Sequence, residues 1–407
     1  MQMQKVAVVD FKKVDNSTLI TYMVERNISV ILINLDSNGN NFQSQVEHVL
    51  VNNVNLNDNL SCLKDVKWII NINSEKSEED YNLIYNIYSK ILPYLSNNII
   101  ISATSNFFLD VVSKIPCNIS CKFTVVSFFD HINKIKLIEC AYHNKLEDKN
   151  IEILSNRFSN LIVCNNTPGL ILDRILSFWL IISLIGAYKF SINVEEADFI
   201  ISNQYMGIPH GAFKLLDEIG LDNFISTIKH LVKHLPSDDH LCKLYGTIPI
   251  VILQMISDGY TGSMSKIGGF YRLYESHYGN SNQVIDLHTG LYRQSYAINY
   301  EFQNIQNLFD VQNKYGQFMW YIWSNTLIYV SSLIPKLSSN ISVIDKAIKL
   351  AYNWKHGPFE IIDLLNDSID NKLFDSVGYN NFPQILSIKK RMYNNKGQCL
   401  SINGTYL

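Results

Sequence analysis

Asn160-Leu161-Ile162-Val163-Cys164-Asn165-Asn166-Thr167-Pro168-Gly169-Leu170-Ile171-Leu172-Asp173-Arg174 is the stretch at which the chain changes character. It opens on a short unbroken apolar run, passes through Asn-Thr-Pro-Gly turn chemistry, and enters a long helical pattern. Upstream, apolar runs of the same kind recur: KVAVV at 5–9, SVILI at 29–33, KWIINI at 67–72, NIIISA at 98–103 and KFTVVSFF at 122–129. Helical periodicity separates them at 17–27 and 78–95. Runs without alternation are how strands buried on both faces of a parallel sheet read. Residues 1–165 are therefore predicted to form a doubly wound α/β domain. Downstream the patterns are helical at 170–190, 192–205, 211–235, 240–258 and 301–350, with a looser Gly-rich connector over 259–300. The predicted class is thus an α/β N-terminal domain followed by all-α modules.

The 407 residues are 47% apolar and 17% charged, with a net charge of −3. That balance supports a sizeable core and argues against a nucleic-acid partner, which requires a basic surface. The seven cysteines are scattered and form no CxxC pair, so neither a zinc site nor a redox motif is expected. A reduced, cytoplasmic chain is the simplest expectation. The N-terminus MQMQKVAVVDF has no charged segment leading into a long apolar one, so it does not read as a secretory leader. The most apolar run, ILSFWLIISLIGA at 175–187, is shorter than the ~20 residues of a membrane span and predicts a buried core helix.

An internal repeat divides the helical half. His210-Gly211-Ala212-Phe213-Lys214-Leu215-Leu216-Asp217 recurs as His356-Gly357-Pro358-Phe359-Glu360-Ile361-Ile362-Asp363, each copy following a helical run. The reading is a first module at 166–280, a linker at 281–300 and a second module at 301–407.

These stretches resemble the 3-hydroxyacyl-CoA dehydrogenase family, most closely the bacterial β-oxidation type with two C-terminal helical modules. Thr167–Arg174 is similar to the family's domain-junction motif. Gly259–Gly262 with Lys266–Tyr271, Val284–Arg293, and Asn353–Glu360 are similar to its module motifs. The resemblance implies a Rossmann-like first domain that binds NAD. It also implies oxidation of an L-3-hydroxyacyl-CoA to the 3-ketoacyl-CoA, with a His held by a Glu as the base. No hydratase-like segment follows within the chain, so hydratase activity is not expected of it.

The chemistry-bearing positions depart from that pattern. After Val9 the chain carries Asp10, Lys12 and Asp15 with no glycine before Ser17, where the family's Gly-rich turn lets the backbone approach the cofactor pyrophosphate. Asn34 ends the second strand, with Asp36 two residues on as a substitute acid for the ribose. The resemblance puts Asn133 at the base position with Glu139 as its orienting partner, Asn106 at a substrate-contacting position, and Asp173 where the family has Asn. An amide takes no proton at neutral pH. The expected function is a family member with reduced or no catalysis, binding NAD weakly, with acyl-CoA and a β-oxidation enzyme as partners. Two alternatives stand beside it: an active dehydrogenase using His131 as a displaced base, and a structural or interaction protein. Two related modules can fill within one chain the surface that single-module relatives bury by dimerising. Light scattering at micromolar concentration is therefore expected to give the monomer mass, and an obligate dimer would contradict the pseudo-dimer reading.

Overall fold

The computed structural model describes residues 5–9, 17–34, 51–55, 60–72, 78–97, 99–104, 109, 111–116, 121–131, 134–142, 154–276, 279–368, 383–388 and 390–407. The chain divides into two compact units, Met1–Asn166 and Thr167–Leu407.

The first unit is built on an eight-stranded sheet. Its strands are β1 (Lys5–Val9), β2 (Ser29–Asn34), β3 (Val51–Asn55), β4 (Trp68–Asn71), β5 (Ile99–Ala103), β6 (Cys121–His131), β7 (Lys134–Tyr142) and β8 (Leu161–Cys164). They lie in the order β3-β2-β1-β4-β5-β6-β7-β8. Every neighbouring pair is parallel except β6 and β7. The first six strands have the doubly wound order. Val6 to Val9 are all buried, which is why β1 shows no alternation. On one face Val6, Val8, Val30, Leu32, Trp68 and Ile70 pack with Leu19, Ile20 and Met23 of α1 (Ser17–Val24). A second helix, α2 (Glu78–Ile91), joins β4 to β5. A polar seam crosses the sheet within this core. Trp68 Nε1 donates to Ser102 Oγ at 2.7 Å, and Ser102 shares a 2.5 Å hydrogen bond with Thr124. The sequence reading found neither β3 nor β7.

The second unit is mostly helical. Leu172–Lys189 (α3) is buried almost all round, as the apolar run at 175–187 predicts for a core helix. It packs on the long helix Lys314–Ser332, where Phe178 stacks on Tyr329 with ring centroids 3.9 Å apart. The periodicity at 211–235 resolves into two helices, Ala212–Ile219 and Leu221–His234, broken at Gly220 with φ +88°. That at 240–258 breaks likewise into His240–Tyr245 and Ile250–Ser257, the latter capped by Pro249. The connector expected over 259–300 is instead a three-stranded antiparallel sheet of Tyr271–Ser276, Gly279–Ile285 and Tyr292–Gln294. Among the described residues no helix is long and apolar enough to cross a membrane.

The repeat is physical as well as sequential. Asp198 accepts from Phe213 N at 2.8 Å, Lys214 N at 3.0 Å and Tyr271 Oη at 2.9 Å. Asp345 accepts from Phe359 N at 2.9 Å, Glu360 N at 3.1 Å and Tyr393 Oη at 2.7 Å. Asp217 then accepts from Phe270 N and Tyr271 N, and Asp363 from Met392 N and Tyr393 N. Gly211 and Gly357 are glycines because a Cβ would stand 2.1 Å from Asp198 Oδ1 and 2.3 Å from Asp345 Cβ. Burial pushes the carboxyls of Asp198 and Asp345 each up to about 7, against hydrogen bonds that favour the charged form.

Arg174 ties three elements. Its Nε donates to Tyr329 Oη at 2.6 Å, its Nη2 pairs with Asp239, and Tyr329 Oη donates to Asp239 at 3.0 Å. Asp239 also caps the helix His240–Tyr245 through Leu241 N. Both charges are buried, at 4% and 6% exposure.

Two outcomes are expected. Arg174→Met leaves the Asp239 charge buried without its cation and costs about 3–5 kcal/mol of unfolding free energy, measurable by urea titration. The folded protein holds the Asp345 proton more tightly than the unfolded chain does. Its contribution to stability is therefore full below about pH 4 and lost as pH rises to about 7. The stability of wild type relative to Asp345→Asn should accordingly fall across that window, and a rising difference would contradict the linkage.

Candidate functional site

In an open α/β sheet the ligand crevice lies outside the carboxyl ends of the strands, where the strand order reverses. Here that point is between β1 and β4, whose last residues, Val9 and Asn71, are register partners. Residues 10–16 join β1 to α1, and Asp10, Lys12 and Asp15 lie outside the described residues. Asn34 closes β2 beside Asn55 of β3. Its side chain, and all of Asp36, lie outside the described residues, as does Asn106 beyond β5.

Glu139 is described. It lies in the middle of β7, 1% exposed, with Ser127 of β6 as its register partner on one side and Ile162 of β8 on the other. Directly opposed residues of an antiparallel pair have Cβ atoms about 4.5–5.5 Å apart and share a face. Asn133 lies outside the described residues, but the hairpin on either side of it is described, with His131 paired to Lys134. From Lys134 to Glu139 is five residues of extended strand, about 17 Å. The expected pairing of Asn133 with Glu139 falls on a residue outside the described ones, and the described residue opposite Glu139 on β6 is Ser127. The same length of strand separates His131, whose side chain is not described, from Glu139. Alignment along the chain could not reveal Ser127, because proximity in a hairpin is counted across the ladder, and this one carries a bulge between Phe129 and Asp130.

Two thiols accompany Glu139. Burial raises Cys164 well above the ordinary thiol range, and the Glu139 charge adds to it. Burial pushes Cys140 up to about 12, against a hydrogen bond with Thr124. Neither is a thiolate at neutral pH, so neither is a nucleophile. Among the described residues no cluster of three or more His, Cys, Asp or Glu could hold a metal ion.

In the second unit, Asp173 lies in the first turn of α3 with its side chain open to solvent, while the adjacent Arg174 is buried in its ion pair. An exposed carboxyl is a carboxylate at neutral pH. The helix N-terminus favours that charge.

No protein-family profile matches the chain. A protein of Rickettsia prowazekii (strain Madrid E) named as a fatty acid oxidation complex trifunctional enzyme is 29% identical over 371 residues, 87% of this chain and 50% of that protein. A Bacillus subtilis (strain 168) protein named as a 3-hydroxyacyl-CoA dehydrogenase is 25% identical over 334 residues, 76% of this chain and 40% of the relative. The chain thus spans about half the length of the curated relatives it matches. The crystal structure of 3-hydroxybutyryl-CoA dehydrogenase from Escherichia coli K12 substr. MG1655 has the same fold. It superimposes with a TM-score of 0.60 at 13% identity, covering 88% of this chain and 90% of that one. The chain is thus similar in sequence to relatives named as 3-hydroxyacyl-CoA dehydrogenases or fatty acid oxidation enzymes, and it shares the fold of a 3-hydroxybutyryl-CoA dehydrogenase.

Proposed function

We propose that the chain is an acyl-CoA-binding member of the 3-hydroxyacyl-CoA dehydrogenase family in which dehydrogenation is impaired. The reaction in question is transfer of a hydride from C3 of an L-3-hydroxyacyl-CoA to NAD, with the hydroxyl proton taken by a base. One observation carries the reading: the side chain facing the buried Glu139 is Ser127. In the family an imidazole is held by a carboxylate, and it both donates to that carboxylate and accepts the substrate proton. A serine hydroxyl donates to a carboxylate equally well, but it is not a base at neutral pH.

The cofactor turn supports the same reading. The sequence between β1 and α1 has no glycine for close approach to a pyrophosphate, and it carries two acids, Asp10 and Asp15, that would oppose a dianion bound there. A sequence without those glycines lacks the close backbone approach that a dinucleotide pyrophosphate needs. The alternative in which His131 serves as a displaced base is disfavoured by the hairpin, which puts the strand end at His131 five residues from Glu139.

The test is oxidation of NADH in the presence of acetoacetyl-CoA, followed by absorbance, with calorimetry of NADH and acetoacetyl-CoA alongside. Wild type is expected to turn over at least about 10²-fold more slowly than an intact dehydrogenase, the factor that loss of a general base removes. NADH binding is expected to be millimolar or weaker, with acetoacetyl-CoA binding retained. Turnover at an intact rate would overturn the proposal, and its loss in His131→Ala would then identify the displaced base. Silence toward both compounds would favour the purely structural alternative.

A further inference from the structure

The first helical module carries a concave site of about 460 Å³ between the 263–268 turn and the hairpin formed by Tyr271–Ser276 and Gly279–Ile285. Two cations line it, Lys266 and Arg272, with the neutral hydrogen-bonding groups of Ser263, Ser265, Asn282 and Gln283. Among the described residues no carboxylate does so. In a chain of net charge −3, that is a local reversal of sign.

Arg272 is held in place before any ligand arrives. Its guanidinium lies over the Tyr292 ring, 3.6 Å from the centroid, and its Nε and Nη2 both donate to Gln283 Oε1, at 2.9 and 2.7 Å. That commits two of its five N–H groups and leaves the Nη1 edge without a protein partner among the described residues. The Lys266 ammonium is exposed and likewise makes no ion pair or hydrogen bond there. Gly268, at φ +93°, lets the Lys266 turn close down on the strand: a Cβ would stand 2.5 Å from Arg272 Cβ. The turn chemistry thus brings an ammonium and a fixed guanidinium to one concavity.

We propose that this site binds the diphosphate of a nucleotide. A planar guanidinium fork beside a mobile ammonium is the arrangement that recognises phosphate oxygens. The volume is larger than an inorganic anion needs and falls within the range of small-molecule sites. Ile267 and Leu273, 45% and 57% exposed, offer apolar surface at the same site for the organic part of the nucleotide. The site lies in the helical module, and the proposal does not depend on whether the chain turns over acyl-CoA.

The experiment is calorimetric titration of the full chain with pyrophosphate, ADP, coenzyme A and adenosine in low-salt buffer. It is run on wild type, Lys266→Gln and Arg272→Lys, with thermal melts to confirm that the variants fold. Pyrophosphate and ADP are expected to bind, adenosine to stay silent, and Lys266→Gln to weaken both by about tenfold or more. Arg272→Lys keeps the charge but loses the fork, and should weaken them as well. Affinity should fall as salt rises. Coenzyme A binding with the same dependence on Lys266 would identify the coenzyme as a source of the diphosphate. ADP binding without it would point to a free nucleotide. No heat from pyrophosphate or ADP at millimolar concentration would overturn the proposal, as would wild-type affinity in Lys266→Gln or adenosine binding as tightly as ADP.

Discussion

A carboxylate taken out of water must find donors, and the helical unit meets that demand twice with one construction. Asp198 and Asp345 each take two backbone N–H groups from the start of the following helix and a hydroxyl from a tyrosine far along the chain. Those N–H groups belong to a first helical turn, where no backbone acceptor exists for them. The carboxylate and the helix start therefore satisfy each other. The tyrosine brings in a third segment, whose own N–H groups bind the second aspartate, Asp217 or Asp363. The result is a closed circuit of helix, helix and extended chain, and removing any acceptor leaves buried donors without partners. The two modules differ in what they insert into the circuit. Asp217 and Phe270 are 53 residues apart, Asp363 and Met392 only 29. The longer interval holds the helices Leu221–His234, His240–Tyr245 and Ile250–Ser257.

This explains which parts of the fold can be read from the sequence. The eight-residue repeat at 210–217 and 356–363 is legible because helix start, glycine and aspartate lie within one local window. Asp198 and Asp345 are not, since their partners lie 15 and 73, or 14 and 48, residues away, and only the fold equates those intervals. The inner strands are legible because burial on both faces makes them uniformly apolar. β3 escapes notice because three of its five residues are Asn, and the edge position it occupies needs no apolar run. β7 alternates too little to separate from the motif read across it. The strands at 271–294 are largely half-buried or exposed, Leu273 and Tyr274 among them, so they carry no buried apolar run, and their Gly-rich flanks read as loop.

The candidate site shows the same limit at closer range. Glu139 is legible as a carboxyl in an apolar run, but its partner is not. Reading along the chain suggests a residue just before β7, whereas a hairpin brings together residues opposed across its ladder, here four residues before His131 and five after Lys134 because of the bulge. Those are Ser127 and Glu139. Most of the other expected positions follow strand ends, where loops carry function and where sequence pattern constrains structure least.

Glu139 also differs in kind from the aspartates of the helical unit. Asp198 and Asp345 find donors at helix starts, which any helical fold supplies. β7 is paired on both sides, so its neighbouring backbone N–H groups are committed to the ladder. A buried carboxylate in the middle of such a sheet has to be satisfied by side chains, and it therefore constrains which residues can stand beside it. An imidazole there would use one nitrogen for the carboxylate and keep the other for a substrate proton. A serine has one oxygen and one proton, and once that proton is directed at Glu139 its oxygen can only accept a hydrogen bond. A serine in place of an imidazole at such a position would keep the donor that the buried carboxylate needs and would lack the second nitrogen that proton transfer needs.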